Sequence, residues 1–425
     1  MSPMLTKVTR FMFPRSLDPT ALSFLPAVEY GPVVTTPVKN GSSCEVPSRK
    51  INPPSSAPSL PPRCSHLMHP YVSNNGELGV ILFGGATLKS ETTEYVAYND
   101  IWMFDSVKMS WKELETKGKK PTARRGCSSW LVGDDLYVFG GFAQQGDEGM
   151  IYYDDMFRFD ITKSEWTEVE QVNKPMARRG GVNWTGTQRG DGAVTNGEPH
   201  LYLFGGEMRI EDTSMIQELI KIHRCKVGNK CDTAEGKNEV FWESSPLAMC
   251  HTLGATSGLV RSNPYASLHT FPSHSVMACG SKVPRLYMFG GIKLDGSSSG
   301  SICALDFCFP ASDGQSLALL PLQNCKMTEI SEECQSSNMK PGKRAFGSAA
   351  GGYVVAGASE VGEDEHNAIY RFTGVNWPRG VFSDLGNRAF REAEDEAKVI
   401  VQWQKVRGTE ERRTAGRRAG AKRQL

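Results

Sequence analysis

Short apolar runs, each closed by paired glycines, punctuate this chain. Val80-Ile-Leu-Phe-Gly-Gly85, Leu136-Tyr-Val-Phe-Gly-Gly141, Leu201-Tyr-Leu-Phe-Gly-Gly206 and Leu286-Tyr-Met-Phe-Gly-Gly291 are four versions of one phrase, and Tyr353-Val-Val-Ala-Gly-Ala358 is a decayed fifth. Self-similarity at spacings of tens of residues governs the architecture. Around the second copy the polar–apolar pattern is cleanest. Gly126–Val132 reads as a strand, Gly133-Asp-Asp135 as a turn, and Leu136–Phe139 as a second strand. Tyr153–Asp160 then alternates apolar and polar with period two, Thr162-Lys-Ser164 turns the chain, and Glu165–Val169 is a fourth strand. The pattern predicts a four-stranded antiparallel meander of roughly 50 residues. A lone meander leaves both faces wet, so the repeats must stack.

The punctuating residues have physical reasons. Gly84, Gly85, Gly140, Gly141, Gly205, Gly206, Gly290 and Gly291 close strands where the backbone takes positive φ or lies against a neighbour with no Cβ between them. Trp111, Trp166, Trp242 and Trp377 follow the pairs and supply a large apolar body suited to wedging between sheets. Repeat four has no tryptophan where one is expected, and repeat five loses its second glycine to Ala358. This ordered set of elements resembles the kelch repeat, over about residues 61–377. The resemblance implies an all-β fold: a kelch-type β-propeller of four-stranded antiparallel blades, five recognisable and a degenerate sixth.

Composition narrows the class without naming a function. The chain has 425 residues, 39% of them hydrophobic, and a net charge of +1, which suits a globular protein and gives no basic excess for nucleic acid. No apolar run approaches the roughly 20 residues of a membrane span. Of the 11 cysteines, Cys225, Cys231, Cys250, Cys279, Cys303, Cys308, Cys325 and Cys334 cluster late, and no C-x-x-C pair offers a zinc ribbon. With no secretory signal visible, the thiols are read as reduced and mostly buried. The expected location is cytoplasmic; the basic residues Lys7, Arg10 and Arg15 and the basic carboxyl end keep mitochondrial and nuclear delivery as alternatives.

Three segments follow. Residues 1–60 read as a flexible tail ending in a Pro/Ser-rich linker, residues 61–377 as the propeller, and residues 378–425 as a degenerate or truncated further blade or a charged tail. Phe390–Gln404 reads as helix by propensity, although Trp403-Gln-Lys-Val406 echoes Trp111-Lys-Glu-Leu114. The glycine pairs begin at residues 84, 140, 205 and 290, intervals that exceed a bare blade, so Thr185–Pro199, Gly228–Lys237 and Ser244–Lys282 are read as inserted surface loops.

Charge suggests where a partner binds. The loops after each glycine pair share one face and carry Glu91, Glu94, Asp147, Glu148, Glu207, Glu211, Asp212, Asp295, Glu360, Glu363, Asp364 and Glu365. The segments leading into the innermost strands are basic, with Lys117, Lys119, Lys120, Arg124, Arg125, Arg178, Arg179, Lys343 and Arg344. Closed blades would make a basic ring at the channel mouth inside an acidic rim. Arginine forks match carboxylates, and kelch adaptors similar in this motif place the second arginine of an Arg-Arg-x-Gly step against acidic peptides. The resemblance carries this to Arg125 and Arg179 and more weakly to Arg344, with Arg124 and Arg178 beside them; the structural alternative is that these arginines bridge blades.

Catalytic signatures are weak. Gly296-Ser-Ser-Ser-Gly300 spells a nucleophile elbow but lies in a serine-rich loop. The histidines show no metal-ligand spacing on a regular element. Iron-binding plant specifier proteins, which are kelch propellers, use a Glu, an Asp and a His separated by three intervening residues; Glu360 and Asp364 fit, but position 368 is Ala. No catalytic residue, metal or cofactor is assigned. The expected function is a non-catalytic scaffold or adaptor that binds another protein, with a small-molecule or metal-dependent propeller enzyme as the alternative.

Overall fold

The computed structural model describes residues 60–73, 76–88, 95–108, 110–144, 149–187, 199–209, 216–227 and 239–250. Beyond these it describes 261–262, 265–269, 285–293, 297–310, 317–330, 342–345, 348–350, 353–355, 358–359, 369–376 and 400–406. The tail over residues 1–60 therefore lies outside the described residues except for its last position.

Among the described residues five four-stranded antiparallel meanders follow one another along the chain, the second and third joined by a parallel pairing into one nine-stranded sheet and the fourth extended by a fifth strand. Blade one is Leu67–Val72, Leu78–Phe83, Ile101–Asp105 and Ser110–Glu113, and blade two is Ser128–Val132, Asp135–Phe139, Met156–Asp160 and Glu165–Val172. Blade three is Val182–Thr187, Pro199–Phe204, Lys221–Lys226 and Glu239–Pro246. Blade four is Tyr265–His269, Arg285–Phe289, Ile302–Asp306 and Lys326–Ile330, and blade five is Ser348–Ala350, Tyr353–Val355, Ile369–Asn376 and Ile400–Val406. Within each, strand order follows chain order, as in a meander.

Blades stack through alternate side chains. Leu67, Ile81 and Phe83 of blade one share a core with Leu136, Phe159 and Trp166 of blade two. Trp130 and Phe139 of blade two pack with Leu203, Val240 and Trp242 of blade three. Val182, Trp184 and Phe204 of blade three then meet Leu286, Leu305 and Met327 of blade four. The outer-strand tryptophan is the wedge: Trp166 lies 5.0 Å from Phe83 of the preceding blade, and Trp242 lies 5.8 Å from Phe139. Such ring pairs contribute about 1 kcal/mol beyond area burial.

Blade registers locate two departures from the sequence reading. Phe104 faces Trp111 and Phe159 faces Trp166; in blade four the same position pairs Leu305 with Met327, a buried side chain in place of the tryptophan. In blade five it pairs Phe372 with Trp403. Trp403 thus belongs to the outermost strand of blade five, whereas Trp377 follows the third strand and lies outside the described residues. The expected boundary at 377 falls inside this blade. Similarly, Ser244–Lys282, read as an inserted loop, contains the first strand of blade four and the short strands Ala248–Cys250 and Arg261–Ser262.

Successive blades are also stitched at their outer edges. Residues leaving blade one, Lys117-Gly118, pair in parallel with Glu165-Trp166 of blade two. The end of blade two's outer strand, Glu170–Val172, pairs in parallel with Glu239–Phe241, and Ala248–Cys250 pairs with Lys326–Thr328 of blade four. Each added strand covers an edge that would otherwise present unpaired backbone groups.

Candidate functional site

Each blade is approached by a short segment that crosses the ends of its strands. The backbone of that segment bridges the residue after the glycine pair: Cys64 with Ala86, Arg125 with Phe142, Arg179 with Glu207, Ser262 with Ile292, and Arg344 with Ser359. Close contact makes the glycines necessary here. Gly140 has φ 66°, and a Cβ on it would lie 2.7 Å from the Arg178 carbonyl of the next blade's segment. Adjacent segments are joined as well, Gly126 N–H donating to Ser65 O and Gly180 N–H to Gly126 O, both at 2.8 Å.

Within each segment, neighbouring arginines point to opposite sides because the backbone is extended. The first arginine turns into its own blade. Arg124 donates both Nη atoms to the Asp155 carboxylate, Nη1 to Gly140 O at 3.2 Å and Nε to Thr122 O at 2.9 Å, and its guanidinium carbon lies 4.0 Å from the Tyr153 ring centroid. Arg178 repeats this with Glu218 at 3.1 Å, Gly205 O at 3.2 Å and Met176 O at 3.0 Å. Arg63 does so in blade one with Asp100, Gly84 O and Pro61 O. Arg124 and Arg178 are each 1% exposed. Both were expected to stand beside a partner; their forks are instead saturated inside the blades, so they are structural clasps. Burial lowers Arg178 to about 10, against the pull of Glu218.

The second arginine faces the other way, into aromatic rings. Arg125 lies 3.7 Å from the Tyr95 centroid and 4.5 Å from that of Phe142. Arg179 lies 4.1 Å from the same Phe142 ring, which itself stacks on Tyr152 at 5.8 Å. These rings come from two hairpins standing above the glycine pairs, Ala86–Leu88 with Tyr95–Ala97 and Phe142–Gln144 with Met150–Tyr152. The result is a ladder of Tyr95, Arg125, Phe142 and Arg179 across blades one to three. Arg179 has a carboxylate: Glu207 accepts from Arg179 Nη2 and, at 3.0 Å, from Tyr152 OH. The Nε of Arg179 is buried without a partner. Arg125 is 9% exposed and, among the described residues, its guanidinium has neither a carboxylate nor a hydrogen-bond acceptor.

Two of the remaining basic residues stand apart from the expected ring. Lys117 and Lys119 lie against the outermost strand of blade two, beside Glu165 and Glu168, away from the channel mouth. Of the twelve loop acids, Glu207 alone is described. Arg344 has the backbone register of Arg125 and Arg179; its side chain lies outside the description.

One further network sits behind the clasp of blade three. Glu218, on the short helix Ile216–Leu219, also receives Lys221 at 2.7 Å. His223 Nδ1 pairs with Ser244 Oγ at 2.7 Å, while its Nε2 lies 3.3 Å from Glu218 Oε1 without the alignment of a hydrogen bond. Burial, then the charges of Arg178 and Lys221, hold His223 well below the usual histidine value. Among the described residues no group of three or more His, Cys, Asp or Glu could hold a metal ion, and no helix is long and apolar enough to cross a membrane. Glu360, Asp364 and Ala368 lie outside them.

Stacked antiparallel blades, glycine pairs at strand ends and wedging outer-strand side chains define a β-propeller of kelch type. Residues 45–219 match the family model described as the KLHDC2/KLHL20/DRC7 Kelch-repeats domain, so this part of the chain carries kelch repeats. It is 37% identical over 82 residues to human Kelch domain-containing protein 3, covering 19% of this chain and 20% of that protein. It is 30% identical over 128 residues to the N-(sulfonatooxy)prop-2-enimidothioate sulfolyase of Thlaspi arvense, covering 29% of this chain and 31% of the other. The solved structure of YjhT aligns with 81% of this chain and 86% of its own at 12% identity and a TM-score of 0.43. The chain thus spans about one fifth of the length of the kelch domain-containing relative it matches.

Proposed function

We propose that this chain is a protein-interaction module that takes an acidic segment of a partner on the face bearing the inter-blade segments and the hairpins after the glycine pairs. One observation carries the reading: Arg125, a 9% exposed residue stacked between Tyr95 and Phe142, has no anion among the described residues. Stripping a charge of water costs several kcal/mol, while a cation–π contact returns about 0.5–2 kcal/mol. A partner carboxylate closes that gap, because a guanidinium fixed between rings presents its N–H edge in one orientation. Arg179 stands beside it on the same ring, and Arg344 occupies the equivalent register in blade five. The kelch family, whose members are commonly interaction scaffolds, supports the same direction.

The test is fluorescence anisotropy with three labelled nonapeptides, one rich in Glu and Asp, one in Gly and Ser, one in Lys. The acidic peptide is expected to bind saturably and to weaken with salt. The double variant Arg125→Ala, Arg179→Ala, with an unchanged melting profile, is expected to lose at least about tenfold in affinity. Equal binding of all three peptides would overturn the reading.

The sulfolyase relative favours a second reading, a propeller enzyme. Stoichiometric metal in the purified chain, or turnover lost without loss of fold on replacing a single acid, would move the function there.

A further inference from the structure

We infer that Glu207 is a built-in occupant of half of the partner site, and that the ligand is a pair of acidic side chains of which the second must displace it. This rests on the acidic-segment reading above. Five registers are comparable, because in each blade one residue follows the glycine pair and bridges the approach segment. Those residues are Ala86, Phe142, Glu207, Ile292 and Ser359. Only blade three has an acid there, directly across from an arginine.

The contact of Glu207 also shows what the site recognises. Its carboxylate takes one hydrogen bond from Arg179 Nη2 and one from Tyr152 OH, while the side chain stays 37% exposed. A second carboxylate can therefore approach the same donors from solvent. Arg125, one blade earlier, stacks on the same Phe142 ring and has no internal acid among the described residues. Both guanidinium carbons lie within 4.5 Å of the Phe142 centroid, so the two positions belong to one groove floor. In an extended peptide, side chains two residues apart share a face at a separation of roughly 7 Å. Glu-x-Glu in extended form fits this pair: one carboxylate on Arg125, the other on Arg179 in place of Glu207. The internal acid keeps the second position neutral when empty and lowers affinity for the doubly acidic ligand alone.

Anisotropy on the full chain separates the possibilities, using Gly/Ser-flanked peptides carrying Glu-Ser-Glu, Glu-Ser-Gln or Gln-Ser-Gln. For wild type, Glu-Ser-Glu and Glu-Ser-Gln are expected to bind within a few-fold of each other. Glu207→Gln, which keeps shape and removes charge, should tighten Glu-Ser-Glu by about five-fold, near the upper limit of a half-exposed ion pair, and leave Glu-Ser-Gln unchanged. Adding Arg179→Ala to Glu207→Gln should abolish that gain, which a general change in surface charge would not. If wild type binds the acidic peptides and Glu207→Gln binds them no better, the occupant role is overturned and the acidic-segment reading stands. If neither protein distinguishes Glu-Ser-Glu from Gln-Ser-Gln, both fall.

Discussion

Arg124 and Arg125 are chain neighbours with the same side chain, and they do opposite things. The first spends its donors on Asp155, Gly140 and Thr122 at 1% exposure. The second lies between Tyr95 and Phe142 with no acceptor among the described residues. Arg178 and Arg179 repeat the contrast in blade three, except that Arg179 has borrowed Glu207. A doubled arginine in these blades is therefore two devices one residue apart, a clasp facing the strands and a ring-stacked guanidinium facing the hairpins. Residue type alone does not separate them; extended-chain alternation does.

The contrast breaks most visibly when both members receive one substitution. Methionine keeps the apolar stem and removes the charged fork. Arg124→Met strands the Asp155 carboxylate and the Gly140 and Thr122 carbonyls, and should cost about 3 kcal/mol in chemical unfolding. A loss below about 1 kcal/mol would mean that the clasp is decorative and that the blades hold by apolar packing alone.

Much of this was legible in the sequence, unevenly. Blades one to three announce themselves because strand pattern, glycine pair and tryptophan coincide in each. Blade four hides for two physical reasons: Met327 fills the place of the wedge, and Tyr265–His269 sits in a Ser- and Gly-rich stretch that composition assigns to a loop. In blade five the outer strand comes 24 residues after the third, and helical propensity across Phe390–Gln404 gives way at Ile400–Val406 to pairing with Ile369–Asn376. The arginines were visible as a basic pattern, but their split roles were not. The missing signal is the acid placed just ahead of each third strand, Asp100, Asp155 and Glu218, which lies 37, 31 and 40 residues beyond Arg63, Arg124 and Arg178.

Acid tests the clasp layer without mutation. His223, packed behind the Arg178–Glu218 clasp, is held neutral by burial and by Arg178 and Lys221, and burial lowers His69, bonded to Ser129 across blades one and two, to about 4. A histidine whose folded value is depressed binds its proton in the unfolded chain first. Stability is therefore full above about pH 6.5 and falls as pH drops below it, by about 1.4 kcal/mol per unit for each such group. Burial lowers His200 to about 4 as well, so unfolding at pH 6.5 and 5.5 should differ by at least about 2 kcal/mol, and His69→Gln should flatten that slope. A pH-independent midpoint over this range would show that none of these rings is sealed.

The smallest expected effect is the sharpest. Arg125→Met removes a charge held between two rings without an anion among the described residues, and keeps the stem between Tyr95 and Phe142. The lost cation–π contacts cost about 0.5–1 kcal/mol each at a partly exposed site, less than the desolvation that the substitution relieves. The variant should be as stable as wild type or more stable by about 1 kcal/mol, while binding of the acidic peptide disappears. That pairing of a stability gain with a functional loss is what a residue kept for a partner produces. A clasp gives the reverse sign under the same substitution. Should Arg125→Met instead destabilise the fold as Arg124→Met does, the two arginines are one structural device, and the partner must be sought on the hairpins above them.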